Sequence, residues 1–168
     1  MKNIYILGFI FSLVFSGCIP TGYVAVPKST KCPPPGTKIS FAKLVTAGFA
    51  EDYVGCDIKT VVQFVAVGTG AWVLPVSTQG KAVFRALPPG AKGEKNPLSG
   101  EIQANMVVIP KESADLLFKL SEGDMVELTG GNYVKVLAKW ARVAGAGSHS
   151  SIVFMADSMK KVESDTKN

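Results

Sequence analysis

Histidine is almost missing from this chain of 168 residues: His149 is the only one. A zinc site built on two histidines is therefore excluded, and no dense carboxylate cluster replaces it. A serine nucleophile would have to use His149, which is flanked by Ser148, Ser150 and Ser151. Adjacent serines do not make a triad, and a Gly/Ser-rich segment with one histidine reads first as a loop. Cysteine is scarce as well: Cys18, Cys32 and Cys56 contain no C-x-x-C pair, which excludes the common metal-ribbon and thiol-redox patterns. Gly68-Thr69-Gly70 lacks the later Gly and Lys of a phosphate-binding loop. Glu51-Asp52 reads as a solvated pair. No apolar run approaches the roughly twenty residues of a membrane-spanning helix. These absences predict a chain that is not an enzyme and needs no cofactor or metal, with a hydrolase centred on His149 as the remote alternative.

The one long apolar run stands at the N-terminus. Lys2 is followed by Ile4 to Phe15, then by the small residues Ser16 and Gly17 and by Cys18. A basic start, a short apolar stretch and a small-residue end make an export signal over residues 1–17. Phe15-Ser16-Gly17-Cys18 resembles the bacterial lipobox, in which the cysteine is acylated and becomes the new N-terminus. Phe15 departs from that pattern, where an aliphatic residue is usual. The other readings are an ordinary cleaved signal, with Cys18 free or bridged, and an uncleaved anchor. The resemblance implies a lipoprotein whose acyl chains, such as palmitate, fix it to a membrane; each buried methylene contributes about 0.8 kcal/mol. Ile19 rather than aspartate follows the cysteine, which by the sorting rule of that family implies the outer membrane, facing the periplasm.

Removing the leader takes away only Lys2, so the formal charge falls from +5 to +4. The basic residues are scattered, so they read as solvated surface before they read as an anion-binding run. With Cys18 acylated, Cys32 and Cys56 remain as a pair in an oxidising compartment, and a disulfide staple is expected. Residues 18–38, rich in Pro, Gly, Thr and Lys, read as a lipidated tether, stiffened by Pro33-Pro34-Pro35.

Residues 39–162 carry a β-rich pattern. Ser40 is placed to cap a short helix through Phe41, Leu44 and Val45. Asp57 to Val67 is β-branched, with Ile58, Thr60, Val62, Phe64 and Ala66 on one face and Lys59, Val61, Gln63, Val65 and Val67 on the other. Ala71 to Val76 and Lys81 to Leu87 form a second strand region, Pro88 to Gly100 a loop, and Ala104 to Ile109 a third strand. Glu112 to Leu120 predicts a helix with Ala114, Leu117 and Phe118 on its apolar face. Met125 to Leu128 is a fourth strand, Thr129-Gly130-Gly131-Asn132 a hairpin turn, and Tyr133 to Val143 the returning strand. A last extended stretch covers Ile152 to Met159, and the polar end 163–168 is expected to be disordered.

A short helix between the third and fourth strands, followed by Leu120-Ser121-Glu122-Gly123-Asp124-Met125-Val126-Glu127-Leu128-Thr129-Gly130, resembles the OB-fold. The resemblance implies a mainly β domain: a small OB-like five-stranded antiparallel barrel with one or two short helices. Another small barrel or a sandwich is the alternative. OB barrels bind oligonucleotides, oligosaccharides or proteins, so the fold leaves the ligand open. Exposed aromatics beside basic residues are the candidates: Trp72, Arg85 next to Phe84, Tyr133 with Lys135, and Trp140. The expected partner is another envelope protein, with a glycan or small ligand as the alternative; no nucleic acid is expected in the envelope.

Overall fold

Alternation of side chains makes the first barrel strand. In β3 (Ile58–Val67), Ile58, Thr60, Val62 and Phe64 are buried while Lys59, Val61 and Gln63 face outward. A register shift between Phe64 and Ala66 breaks the pattern, and Val65 is buried too. The computed structural model that shows this describes residues 23–68, 76–137 and 150–162.

Ahead of β3 lie two short strands, β1 (Tyr23–Ala25) and β2 (Thr37–Lys38), a helix α1 (Phe41–Val45) and a 3-10 turn (Ala50–Tyr53). After it come β4 (Lys81–Leu87), β5 (Asn105–Pro110), a 3-10 turn (Lys111–Ser113), α2 (Ala114–Leu117), β6 (Met125–Leu137) and β7 (Ser150–Lys161). The hydrogen-bonded order is β1-β6-β7-β5-β4-β3-β2, and a further β3–β6 pairing closes β3, β4, β5, β7 and β6 into a five-stranded OB-like barrel. Four of its five pairings are antiparallel and the β5–β7 pairing is parallel, so the barrel is mixed.

One core fills the barrel. Phe84 and Ala86 of β4, Val107 and Ile109 of β5, Val126 and Leu128 of β6, and Phe154 of β7 meet the inward face of β3. Phe64 packs on Phe84 with ring centroids 5.7 Å apart, and Phe41 of α1 meets Phe154 edge-on at 6.3 Å. Burying a side chain of this size contributes about 1.5–3 kcal/mol, and α1 holds to the barrel through Phe41 and Leu44, both fully buried. Asn132 fixes the same helix by its polar end: its Nδ2 donates to the Leu44 carbonyl at 2.7 Å and to the Ala50 carbonyl at 3.1 Å.

The expected hairpin at Thr129–Asn132 is not a turn. β6 runs straight through it as one thirteen-residue strand, paired along its length with β7. Glycine is needed there for close approach. A Cβ on Gly130 would collide with the Met155 carbonyl, and one on Gly131 with the Cys56 carbonyl. Tyr133 to Leu137 therefore continues the fourth barrel strand, and the stretch around Ile152 to Met159 is the fifth, not an addition to it.

Two further expectations change. The helix expected over Glu112–Leu120 is a 3-10 turn plus one α turn, too short to hold a three-residue face. Leu117 is buried, but Phe118 is 78% exposed. The span expected to be tether is seated on the barrel from Tyr23 onward: β1 pairs with β6, Val26 donates to the Val134 carbonyl at 2.8 Å, and β2 pairs in parallel with β3. The Cys32–Cys56 disulfide, with Cα atoms 5.4 Å apart, ties the middle of this strap to the start of β3. The first part of the second strand region, 71–75, lies outside the described residues.

Candidate docking groove

Because side chains alternate, the residues that do not enter the core form the barrel's outer wall. On β3 the outward residue between Lys59 and Gln63 is Val61, apolar and half-buried. On β6 the residue directly across from Val61 is Glu127, and Met125, which pairs with Gln63, is the diagonal neighbour of Val61. Val162, just past β7, donates its amide to the Met125 carbonyl at 2.8 Å. Val61, Met125 and Val162 floor a groove of about 780 Å³.

Its two walls are held by hydrogen bonds to β3. Lys38, Ile39, Ser40 and Ala42 form one wall, and the Ile39 amide donates to the Lys59 carbonyl at 2.8 Å. Pro88-Pro89 forms the other, and the Gly90 amide donates to Gln63 Oε1 at 3.3 Å. Consecutive prolines have fixed φ and no N–H to satisfy, so that wall is stiff and apolar without internal bonding. Ser40, Ala42 and Pro89 along the rims are exposed. The result is an open trough, formed in advance, of the size range that binding sites occupy.

Charge borders the trough on one side. Lys38 and Lys59 are direct neighbours in the β2–β3 pairing, and Glu127 pairs with Lys160 across β6–β7. Lys160 Nζ lies 3.0 Å from Glu127 Oε1. That contact, with the fields of Lys59 and Lys38 behind it, holds the Glu127 carboxyl below the usual range despite some desolvation. Nearby, Lys161 donates to Asp124 at 2.7 Å and the Ser121 amide to the same oxygen at 2.9 Å, lowering that carboxyl as well.

The residues singled out from the sequence lie elsewhere. Cys32 and Cys56 are bonded to each other, as expected. Arg85 is not an exposed ligand-binding side chain. It is buried on the outer side of β4, with Nη1 at 3.4 Å from Glu101 Oε2 and 3.3 Å from the Ile102 carbonyl, so it fastens the 88–104 loop. Phe84 beside it is core. Tyr133 is half-buried at a smaller hollow of about 310 Å³, shared with Lys28, Asp57, Met155 and Asp157. The Lys135 backbone pairs with Ala25 and Ser151, and its side chain is outside the described part. Cys18, Trp72, Trp140 and His149 lie outside the described residues. Among the described residues, no three His, Cys, Asp or Glu side chains come together as a metal site, and no helix is long and apolar enough to cross a membrane.

Aromatic-plus-cation pairs do not mark the groove, because its floor is aliphatic. The signal available was Val61, a single apolar residue at an outward position between Lys59 and Gln63. No known protein-family model and no curated protein matches the chain.

Proposed function

We propose that this chain is a lipid-anchored protein of the bacterial cell envelope whose barrel binds rather than catalyses, docking another envelope protein in the groove over Val61 and Met125. The observation that carries the docking reading is the trough itself: an apolar floor between two walls that are hydrogen-bonded in place before any partner arrives. Preformed walls reduce the ordering cost of association, which is the usual loss when a partner binds a loop. The anchor rests on the leader and on Phe15-Ser16-Gly17-Cys18, and the outer membrane on Ile19. A glycan is the second reading. It is favoured by Tyr133, whose ring stands at the smaller hollow with Asp57 and Asp157, the aromatic and carboxylate groups that suit a sugar.

A photoreactive amino acid at Ala42, on the exposed rim, tests the docking reading in the protein's own host. One envelope protein crosslinked from Ala42, and not from an exposed position such as Glu122, is the expected result. No crosslink from either rim, Ala42 or Pro89, would count against docking at this face. Intact mass of the protein taken from membranes tests the anchor, the expected species starting at Cys18 and carrying acyl chains.

A further inference from the structure

Three strands change character close together, with the change on β3 one pair later than on β6 and β7, because Val61 pairs with Glu127 and Glu127 with Lys160. On β3 the outward series passes from Val61 to Lys59, and on β6 from Met125 to Glu127. At the end of β7 it passes from Val162 to Lys160. Each step is two residues in the same direction along the strands, because β3 and β7 both run antiparallel to β6. Two residues along a strand is about 6.6 Å. The apolar trough is therefore bordered by a stepped charged row, with Glu127 and Lys160 level with Val61, and Lys59 one step beyond.

That row is unbalanced. Lys160 pairs with Glu127, which leaves Lys38 and Lys59 over, next to the trough. Among the described residues Lys38 and Lys59 make no ion pair. They also stand directly side by side in the parallel β2–β3 pairing, an arrangement that costs stability. The fields of both lysines also help to lower the Glu127 carboxyl. An unfavourable pair beside a preformed apolar trough is the mark of a surface shaped for something that brings negative charge.

On the docking reading, we infer that the groove takes an extended segment of the envelope partner in which a short apolar run is followed by acidic residues. The apolar side chains lie over Val61 and Met125, and the acids meet Lys38 and Lys59. The occupant is a peptide rather than an acyl chain because the trough is open along its rims at Ser40, Ala42 and Pro89, whereas a single hydrocarbon chain gains most from enclosure.

The test uses the full chain purified from its host's membranes in detergent, and three fluorescent synthetic peptides. All share one run of leucine and valine; they end in aspartates, in asparagines or in lysines. Anisotropy should show the aspartate peptide binding about tenfold tighter than the asparagine one, the amount two exposed ion pairs supply. That preference should vanish in Lys38→Gln/Lys59→Gln, and should shrink as salt rises. Lys38→Glu/Lys59→Glu, checked for folding by circular dichroism, should favour the lysine peptide instead. Equal binding of the aspartate and asparagine peptides would overturn the inference. So would binding of anionic phospholipid vesicles, sensitive to the same lysines, in place of any peptide. A partner crosslinked from Ala42 whose contact segment lacks acids would sink this inference and leave docking standing. No crosslinked partner and no peptide binding would remove both.

Discussion

Cutting the Cys32–Cys56 bridge should cost the fold about 3.5 kcal/mol. The bridge joins residues 24 apart in sequence, so it closes a loop of 25 residues counted inclusively. In the chain-entropy model a loop of that length loses about 11.7 cal/mol/K in the unfolded state, which is about 3.5 kcal/mol at 25 °C. The clean perturbation is Cys32→Ser with Cys56→Ala. Cys32 is exposed and tolerates a hydroxyl, whereas Cys56 is 3% exposed, so serine there would strand a polar group. Urea titration of the variant against the parent should show the stability loss with no fall in m, since the released unfolded chain exposes at least as much surface. Hydrogen exchange adds a local signature. The strap is held by Val26 N–H to the Val134 carbonyl and Ser29 N–H to the Val54 carbonyl, both on the far side of Cys32 from the barrel strand β3. These two amides should lose more protection than the global change explains, while Val62 follows the global change alone. A loss below about 1 kcal/mol, or unchanged Val26 and Ser29 protection, would refute the view that the bridge fastens the strap.

The two glycines inside β6 give an independent check: Gly131→Ala drives a methyl into the Cys56 carbonyl, so a loss of roughly 3 kcal/mol or failure to fold is expected in thermal melts. Asn132→Leu leaves the Leu44 and Ala50 carbonyls without their buried donor, and should cost about 2–4 kcal/mol by urea titration and loosen α1 before the barrel. Acid should destabilise through Asp124 and Glu127, whose folded pKa values are depressed by Lys161 and Lys160 respectively. Their contribution is complete above the unfolded values, about 3.9 and 4.3, and is lost as pH falls below these through the folded values. The melting temperature should therefore be level from pH 7 to about 5 and fall below about 4, and Lys160→Gln/Lys161→Gln should flatten that acid limb.

The barrel was legible where one face of a strand alternates cleanly. Ile58, Thr60, Val62 and Phe64 were separable from Lys59, Val61 and Gln63 by period alone, and the structure buries the first set. The helix–Gly123–Asp124–strand connection was legible for the same reason, since Val126 and Leu128 point inward together. Gly130-Gly131 was not. Paired glycines between apolar stretches signal a tight turn when only local chemistry is weighed. What requires glycine here is not local: the Met155 and Cys56 carbonyls, 25 and 75 residues away by number (155 − 130 and 131 − 56), press against the strand. Phe118 failed differently. Its spacing from Ala114 suits a helix face, but the helix ends before the face can form, and helix ends are set by where the chain must enter β6.

The groove was illegible for a reason that applies to the residues on its floor and not to its walls. Pro88-Pro89 lies in a loop and Ser40 at a helix start, as the sequence reads, although the Ser40 side chain makes no capping hydrogen bond. Val61, Met125 and Val162 are successively 64 and 37 residues apart in the chain (125 − 61 and 162 − 125), and each alone is an aliphatic at or just past a strand's outer position. The closure of β3 onto β6, together with the pairing of β6 and β7, sets them side by side. The same closure brings Lys59 and Lys38 toward Glu127 and Lys160, so scattered lysines that read as solvated surface become one row. Arg85 shows the converse. Beside Phe84 it looked like a free cation next to an aromatic, yet in three dimensions its guanidinium is committed to Glu101 and the Ile102 carbonyl. A basic residue is available to a partner only when the fold leaves it without an anion of its own, and by that criterion Lys38 and Lys59 qualify where Arg85 does not.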